Sequence, residues 1–426
     1  MGSVKDLIRD DSKAGKLYTP PSVADFGLGA WRVSGRFSVG DLKEQIPECD
    51  IANKAEALTM MTAKFFEWLA NTHPEIPTCY MGLLDKDGER VDVETLIQRG
   101  DTSNIIVMKL AHVPESYCGG DLYVYRKAIA SGELLCGVAD VESIFRCGFP
   151  LGSSTFEKIT EAVGMKDEYE KAATYDETVA LLDRIRAARA AARANGGTNK
   201  KLEGILKRYG LGDTIPNPGF VLKEPVYDST TKFESAGDRV IVEEEEEIYS
   251  GLDKLGYETW TRVMFPRLAQ AQVEFCSERN LANMDGKGEC VAYRRRPVVT
   301  DFACTVDENR LMIVTNVDDI EWAIPSNKEI QRAIFRQAGV YAAISEAKKR
   351  AKQDGDVDKW KGYIPQVTQE RGIDLIAVTE HSCNLMAYAV AEVGNRILGQ
   401  RVFDAKPLDL WVREFLPYAS KIERQE

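Results

Sequence analysis

Hydrophobic residues recur at helical spacing in two long stretches of the chain. In the first stretch these apolar positions are Leu58, Met61, Phe65, Trp68 and Leu69. In the second stretch they are Trp260, Met264, Leu268, Ala271 and Phe275. Because residues three and four apart share one face of a helix, each set predicts a helix that buries this face in the core. Pro266 lies inside the second stretch, so we predict a kink there.

Shorter apolar runs are typical of β-strands. Residues 105–110 form a nearly continuous apolar run, which predicts a buried strand. Residues 298–306 and 311–317 are rich in strand-forming side chains and are separated by a short polar segment, which predicts a hairpin. The second strand of this hairpin would deliver Asp318 and Asp319 at its end, where clustered carboxylates suit Mg²⁺.

The segment from about residue 166 to residue 210 has the pattern of an inserted helical hairpin. Thr174 and Glu177 form a capping box, and Asn195-Gly196-Gly197 is a typical helix end. Basic residues occupy the later half of this helix, where they interact favourably with the helix dipole. This pattern favours a solvated face over a ligand site.

The bulk composition is that of a soluble globular protein. Of its residues, 44% are hydrophobic and 29% are charged, which is typical of this class. The length of 426 residues is enough for two lobes or domains. It contains no uninterrupted apolar run of about 18 residues and starts with a polar segment, so we expect no membrane span, no signal peptide and a cytoplasmic location.

Charge and metal-binding residue types narrow the function classes. The nine cysteines form no Cys-x-x-Cys pair and the three histidines are far apart, which argues against a disulfide framework or a zinc site. The net charge of −12 argues against general nucleic-acid binding. An acidic protein that binds an anionic nucleotide needs local Lys and Arg side chains or Mg²⁺.

The strongest candidate chemistry lies in residues 223–238. Three consecutive hydroxyl residues, Ser229, Thr230 and Thr231, precede Lys232, and Asp238 closes the run. Hydroxyl donors beside a lysine suit a phosphate or a carboxylate. An ordinary polar loop is the alternative interpretation.

The motif Glu-Pro-Val-Tyr-Asp-Ser-Thr-Thr-Lys at residues 224–232 resembles the Glu-Pro-Ile-Phe-Thr-Pro-Thr-Thr-Lys signature of the SAICAR synthetases. These enzymes are the phosphoribosylaminoimidazole-succinocarboxamide synthases of purine biosynthesis. Further resemblances occur in the same order as in the family. They imply ATP-binding roles for residues in an opening glycine turn, in a Lys-x-x-x-Leu-Thr segment and at the end of a strand, namely Gly2, Ser3, Lys5, Lys54 and Lys109.

A second group resembles the family's Pro-Val-Glu-x-x-x-Arg-Gly-Tyr-x-x-Gly-Ser motif. Glu142 and Arg146 have the family's spacing, and Ser153 and Ser154 follow, after an insertion at residues 115–140. The resemblance implies that Arg146 and these serines grip a carboxylate or a ribose phosphate, since an arginine fork suits either anion. The alternative is that Ser153 or Ser154 is only a helix N-cap.

The resemblance is weakest at the predicted hairpin. The family carries Asp-x-Lys-x-Glu-Phe-Gly on the first strand and Asp-Glu-Val at the close of the second. Alignment on the hairpin turn places Val299, Asp301 and Ala303 at the first pattern and residues 315–317 at the second, so neither pattern is reproduced. Asp301, Asp318 and Asp319 are then the candidate Mg²⁺ ligands.

The resemblance implies an α+β fold of two lobes, with antiparallel sheets flanked by helices and an ATP cleft between the lobes. Residues 1–114 would form the N-terminal lobe, and residues 115–426 would form the lobe with the ATP and substrate site. The implied function is an ATP- and Mg²⁺-dependent ligase, which joins a nucleotide-like carboxylate to the amine of aspartate or another amino acid through an acyl phosphate. Lys232, Arg146 and Asp238 would be its catalytic residues.

Two other readings stay open. A catalytically inactive homologue that binds a nucleotide would explain the altered hairpin pattern. An unrelated kinase fits the glycine turn, but the chain lacks His-Arg-Asp and Asp-Phe-Gly motifs. The sequence leaves the oligomeric state open, with a homodimer as one alternative.

Overall fold

The computed structural model describes residues 19–36, 50–234, 239–241, 243–252, 254–326 and 328–425. Helices flank sheets whose strand pairs are antiparallel, apart from one short parallel pair near the C-terminus. The predicted α+β class with antiparallel sheets is therefore confirmed. None of the helices in these ranges combines the length and the apolar composition needed to cross a bilayer.

The strands, in chain order, are β1 (Gly27–Arg32), β2 (Tyr80–Leu84), β3 (Arg90–Val91), β4 (Ile105–Leu110), β5 (Cys136–Phe149), β6 (Phe220–Thr231), β7 (Val240–Ile241), β8 (Leu281–Asn283), β9 (Asp285–Tyr293), β10 (Arg296–Thr300), β11 (Leu311–Val317), β12 (Ile320–Pro325), β13 (Ser420–Lys421) and β14 (Glu423–Arg424).

The α-helices are α1 (Lys54–Thr72), α2 (Val93–Gln98), α3 (Pro114–Cys118), α4 (Leu122–Ser131), α5 (Ser154–Ala162), α6 (Lys166–Tyr169), α7 (Tyr175–Ala194), α8 (Lys200–Arg208), α9 (Glu243–Ser250), α10 (Lys254–Glu258), α11 (Phe265–Ser277), α12 (Lys328–Gln337), α13 (Val340–Gln353), α14 (Ile364–Glu370), α15 (Leu375–Leu398) and α16 (Leu408–Phe415). A π-helical segment covers Thr259–Met264, and 3₁₀ segments cover Val357–Tyr363 and Leu416–Tyr418.

The strands in the described ranges form three sheets. The first has the order β1-β4-β2-β3, and the second has the order β10-β9-β5-β6-β14 with β7 beside β6. The third has the order β13-β12-β11-β8. Isolated bridges join the first sheet to the second at Thr78–Val299 and at His112–Gly137. The strands β5, β6 and β9 are thus central, and β6 and β10 both end beside the Glu142–Glu289 pair, midway along β5 and β9.

The predicted hairpin of residues 298–306 and 311–317 is wrong. β10 pairs with β9, whereas β11 pairs with β12 and β8. The chain leaves the ladder at Asp301, whose φ is 66°, and residues 301–310 form an irregular loop. Ala303, Cys304 and Val306 are buried in this loop, so their apolar character reflects burial rather than strand pairing.

Both predicted core helices are present. The first is α1, which packs against α15. The second is divided into α10, the π-helical segment and α11, and the π-helical segment ends at Met264, two residues before Pro266. Proline lacks the N–H that would bond to the preceding turn, and a wider turn accommodates this loss.

The predicted helical insertion consists of α6, α7 and α8. Thr174 caps α7 in the predicted box with Glu177. Arg189 and Arg193 on α7 both contact Glu203 on α8, so these basic side chains connect the two helices.

Candidate functional site

One face of the second sheet carries a row of polar and charged side chains. Glu142 on β5 is paired directly with Thr230 on β6 and with Glu289 on β9, and Glu289 is paired with Thr300 on β10. Directly paired residues on antiparallel neighbours point to the same face of a sheet. Four strands therefore contribute adjacent side chains to this face.

The sequence of β9 explains why it can present charge on one face only. Its first five residues are Asp-Gly-Lys-Gly-Glu, so Asp285, Lys287 and Glu289 alternate with glycine. A Cβ atom at Gly286 would lie 2.0 Å from Asn309 Nδ2 and 2.7 Å from the Phe145 ring. A Cβ atom at Gly288 would lie 2.9 Å from the ring of Phe265 on α11. Close packing behind the strand requires glycine there.

We expect Gly286→Ala to lower the free energy of unfolding by about 1–3 kcal/mol, because the added methyl group meets Asn309 and Phe145. Gly204→Ala is the matched control, since Gly204 lies inside α8 with open space around it. That change should be neutral or stabilising by up to ~1 kcal/mol. Urea unfolding of both variants measures the difference, and equal stabilities would contradict the packing argument.

We define a lysine–carboxylate cluster on this face as Lys232, Lys287, Glu142, Glu289, Asp301 and Glu308. Lys232, which follows the last residue of β6, forms an ion pair with Glu289. The Lys287 Nζ atom lies 2.7 Å from Glu308 Oε2 and 3.7 Å from Glu289 Oε1, and it also pairs with Glu142. Six charged groups from β5, β9, the residue after β6 and the 301–310 loop thus gather at one place.

The cluster has four carboxyl groups and two amines, and three of its members, Glu289, Lys232 and Lys287, have shifted pKa values. Burial, followed by the nearby charge of Asp301, raises the pKa of Glu289 to about 8. Burial alone would lower the pKa of Lys232, but Glu289 and Asp301 outweigh it and the net shift is upward. The pKa of Lys287 is raised in the same way by Glu142 and Glu289. The site favours additional positive charge.

The raised pKa of Glu289 predicts a pH-dependent stability. Between pH 4.5 and about pH 8 the folded protein holds a proton that the unfolded chain has released, so the free energy of unfolding falls as pH rises through this window. Glu289→Gln removes this loss. We expect the melting temperature of the variant, relative to the wild type, to increase from pH 5 to pH 8. A difference in melting temperature between the variant and the wild type that stays constant across that range would contradict the expectation.

The 301–310 loop is held in place by buried hydrogen bonds. Asn309 Nδ2 donates to Gln272 Oε1 at 2.7 Å, and Thr62 Oγ1 donates to the Ala303 carbonyl at 3.3 Å. Lys54, the first residue of α1, reaches the loop and places its Nζ atom 2.9 Å from Asp307 Oδ2. The loop therefore presents its carboxylates from a fixed backbone.

Four buried carboxylate oxygens in this region have no hydrogen-bond partner among the described residues. They are Asp301 Oδ2, Asp307 Oδ1, Glu289 Oε1 and Glu308 Oε2, and the last of these forms an ion pair with Lys287. A buried carboxylate oxygen without a donor is costly, and a hard cation relieves this cost. The donor set therefore fits a cation such as Mg²⁺.

An arginine cluster lies further along the same face, and we define it as Arg146, Arg310, Arg332 and Arg336 with Asp285 and Glu329. Arg146 Nη1 lies 3.4 Å from Asp285 Oδ2, and Arg310 Nη1 lies 2.9 Å from the same oxygen. Arg310 Nε also lies 3.3 Å from Glu329 Oε1. Arg336 lies over the Tyr169 ring. Arg332 and Arg336 also interact electrostatically with Glu329, so four guanidinium groups surround two carboxylates and this end has an excess of positive charge.

Ser153 is a helix N-cap and also contacts Arg146. Its hydroxyl caps α5 by accepting from the Thr155 N–H, and it also accepts from Arg146 Nη1 at 3.1 Å. Ser154 is the first residue of α5. The buried Nε atom of Arg146 has no partner among the described residues.

The hydroxyl residues before Lys232 lie in a strand, not in a loop. Ser229, Thr230 and Thr231 are the last residues of β6, and all three are buried. Thr231 Oγ1 accepts from the Arg239 N–H at 3.1 Å. The Thr230 hydroxyl has no partner among the described residues, and its register places it beside Glu142.

Three other predicted site residues make contacts outside the two clusters. Lys109 on β4 stands 5.6 Å from the Phe26 ring centroid. Asp318 and Asp319 form the surface turn between β11 and β12, where Asp318 pairs with Arg413 at 3.1 Å. The proposed metal set of Asp301 with these two residues is therefore not assembled. Gly2, Ser3, Lys5 and Asp238 lie outside the described residues.

Within the described ranges, no three His, Cys, Asp or Glu side chains gather closely enough to bind a metal ion by themselves. Mg²⁺ in nucleotide enzymes is commonly held by one or two carboxylates together with substrate phosphates. The cluster geometry is compatible with that shared type of site.

Sequence reasoning missed several residues of both clusters, although a signal was present. The pattern Asp-x-Lys-x-Glu occurs at residues 285–289, and Asp-Glu occurs at residues 307–308. The alignment with the family assumed a hairpin of residues 298–306 and 311–317 that the structure does not contain. It therefore assigned the family's patterns to other residues. Arg310 lies two residues after the second pattern and had no counterpart in the motifs.

Comparisons with known proteins give likenesses of fold only. No family model and no curated protein sequence matches the chain. Among solved structures, SAICAR synthase from Saccharomyces cerevisiae complexed with SAICAR is 11% identical with a TM-score of 0.45, covering 92% of this chain and 98% of that chain. SAICAR synthetase from Pyrococcus horikoshii OT3 is 10% identical with a TM-score of 0.41, covering 76% and 95%. At these TM-scores the likenesses carry no residue roles to this chain.

Proposed function

We propose that this chain is an ATP- and Mg²⁺-dependent ligase that joins a phosphorylated carboxylate substrate to an amine through an acyl phosphate. The observation that carries the proposal is the pair of charged clusters on one sheet face. One cluster has an excess of negative charge beside two lysines, and the other has an excess of positive charge. Such a face suits a ligand that is a phosphate at one end and approaches Mg-ATP at the other.

The lysine–carboxylate cluster is proposed as the phosphoryl-transfer end. It has more carboxyl groups than amines, and Asp301 and Glu289, each with an oxygen that has no hydrogen-bond partner among the described residues, would hold Mg²⁺ together with phosphate oxygens. When bound, the metal would neutralise charge on the ATP phosphates. Lys232 and Lys54 would supply fixed positive charge to the transferring phosphoryl group, because this transfer depends on positioned cations more than on covalent chemistry by the protein.

The reaction has two balanced steps. A carboxylate oxygen of the substrate attacks the γ-phosphorus of ATP, the bond to the β-phosphate oxygen breaks, and ADP leaves. The amine then attacks the acyl carbon, inorganic phosphate leaves, and the amine nitrogen gives up a proton to form the amide. Lys232 can stabilise the charge of the phosphate in both steps.

The arginine cluster is proposed as the site for the substrate's own phosphate. A phosphate monoester carries about −1.5 to −2 charges near neutral pH, which matches the excess positive charge of the cluster. Asp285 and Glu289 are four residues apart on β9, which corresponds to roughly 13 Å. A phosphoribosyl group attached to a carboxylated ring has about the length to bridge them.

The resemblance of the motifs guides the choice of substrates to test. An imidazole carboxylate ribonucleotide is the first carboxylate, and aspartate is the first amine. The inactive-homologue alternative depended on the loss of Asp-x-Lys-x-Glu, and that pattern is present at residues 285–289. The catalytic reading is therefore the better supported of the two.

The test is ADP release with Mg-ATP, the carboxylate nucleotide and each of several amino acids, with every component omitted in turn. We expect release that depends on both co-substrates, and an amide product in which mass spectrometry identifies the amine. The nucleoside that lacks the phosphate should react poorly. Binding of ATP without turnover for any pair would overturn the proposal in favour of a nucleotide-binding protein.

A further inference from the structure

We infer that the segment of residues 115–140 positions Lys232, and that Asp140 is the positioning residue through which it acts. The inference rests on the proposed function only for the role of Lys232. The contacts themselves belong to the fold. They also assign a structural role to the 115–140 insertion, for which the sequence alone indicates no role.

Asp140 accepts hydrogen bonds from the backbone just after the end of β6. It is fully buried, and its Oδ1 atom accepts from the Lys232 N–H at 3.1 Å and from the Phe233 N–H at 2.9 Å. A carboxylate with two backbone donors fixes the direction of the chain at this turn. The direction of the turn decides whether the Lys232 amine reaches Glu289 or points elsewhere.

An irregularity in β5 places Asp140 where it can do this. Val138 is paired with Val291 and Glu142 with Glu289, so β5 has two more residues than β9 between these pairs. Asp140 lies in this bulge, outside the regular ladder. Bulges re-aim side chains in this way next to functional sites.

The second carboxylate oxygen of Asp140 is bound by a residue of helix α4. Arg126 Nε donates to Asp140 Oδ2 at 2.6 Å, and the Arg126 guanidinium lies 4.1 Å from the centroid of the Tyr249 ring. The neighbouring Tyr125 hydroxyl lies 2.8 Å from the Val138 carbonyl oxygen, at the start of the bulge. The Tyr125 ring contacts the Phe233 ring edge-on. The helix therefore contacts the bulge and the Lys232 turn together.

Asp140→Asn tests the inference, because asparagine keeps an acceptor for the backbone but loses the charge that Arg126 requires. We expect kcat for ADP release to fall by about tenfold or more, since small misplacements of a catalytic group have effects of this size. KM for the amine should change little. The rate at which an amine-acylating reagent modifies Lys232, measured by peptide mass spectrometry, should change as well.

Asp85→Asn is the matched control. Asp85 is also buried, accepts from the Asp87 and Glu89 N–H groups at 3.0 Å and 2.9 Å, and pairs with Arg99 at 2.9 Å. It lies between β2 and β3, away from the second sheet. Both variants should lose stability, but only Asp140→Asn should alter kcat and Lys232 labelling. The double variant Arg126→Gln/Asp140→Asn, which restores a neutral pair, should recover part of kcat.

The outcomes separate this inference from the proposed function. Wild-type kcat and wild-type labelling of Lys232 in Asp140→Asn would overturn the positioning role. Absence of turnover in the wild type would instead overturn the ligase, and the labelling rate of Lys232 would still decide whether Asp140 positions it.

Discussion

Lys232→Met is expected to reduce ADP release by about 10²- to 10³-fold, the loss typical of removing one fixed donor from a developing anionic centre. The structure gives the reason. Lys232 follows the end of β6, where Asp140 fixes its backbone and its amine pairs with buried Glu289. The surrounding carboxylates raise its pKa, so it stays charged throughout the neutral range. The measurement is initial-rate ADP release at saturating substrates.

The single variant also removes the partner of a buried carboxylate, which can cost about 3–5 kcal/mol of stability. The double variant Lys232→Met/Glu289→Gln separates folding from chemistry, because it leaves no uncompensated charge at this pair. We expect it to recover much of the stability and none of the activity. Lys64→Met is the control, since Lys64 on α1 pairs with Glu94 at the surface. A stable double variant with wild-type release would refute the role of Lys232.

Local patterns in the sequence predict single elements of the fold well. The apolar spacing predicts α1, the capping box predicts the start of α7, and the continuous run predicts β4. Each of these signals lies within one element. Periodicity could not show that residues 303–306 belong to a buried loop, because buried loops and buried strands are both mostly apolar.

The site could be predicted only in part, for a related reason. Lys232 and Arg146 were found by their motifs, but their partners come from strands and loops that are distant in sequence. In β9, glycine alternates with charge and leaves no apolar face for a pattern search to detect. The packing of Phe145 and Phe265 behind these glycines is a tertiary effect. Charge balance between the clusters likewise emerges only from the assembled sheet.

Arg146→Gln is expected to lower kcat/KM for the phosphorylated carboxylate by about 10- to 100-fold, the equivalent of one charge-assisted hydrogen bond. Arg146 places its guanidinium 3.1 Å from the Ser153 hydroxyl and 3.4 Å from Asp285. Its unpartnered Nε atom leaves one donor for a ligand. Asp285 keeps Arg310 at 2.9 Å, so the substitution leaves no isolated buried carboxylate.

Arg189→Gln is the matched control, because the Arg189 side chain is 9% exposed and that of Arg146 is 10% exposed. Arg189 pairs with Glu203 within the helical insertion, so its loss should affect stability alone. If Arg146 binds the substrate phosphate, Arg146→Gln should raise KM for the nucleotide, yet leave the weak reaction of the phosphate-free nucleoside unchanged. An equal loss for both substrates would place Arg146 at the reacting carboxylate. The arginine cluster would then be part of the chemical step, and the substrate phosphate would have to bind elsewhere.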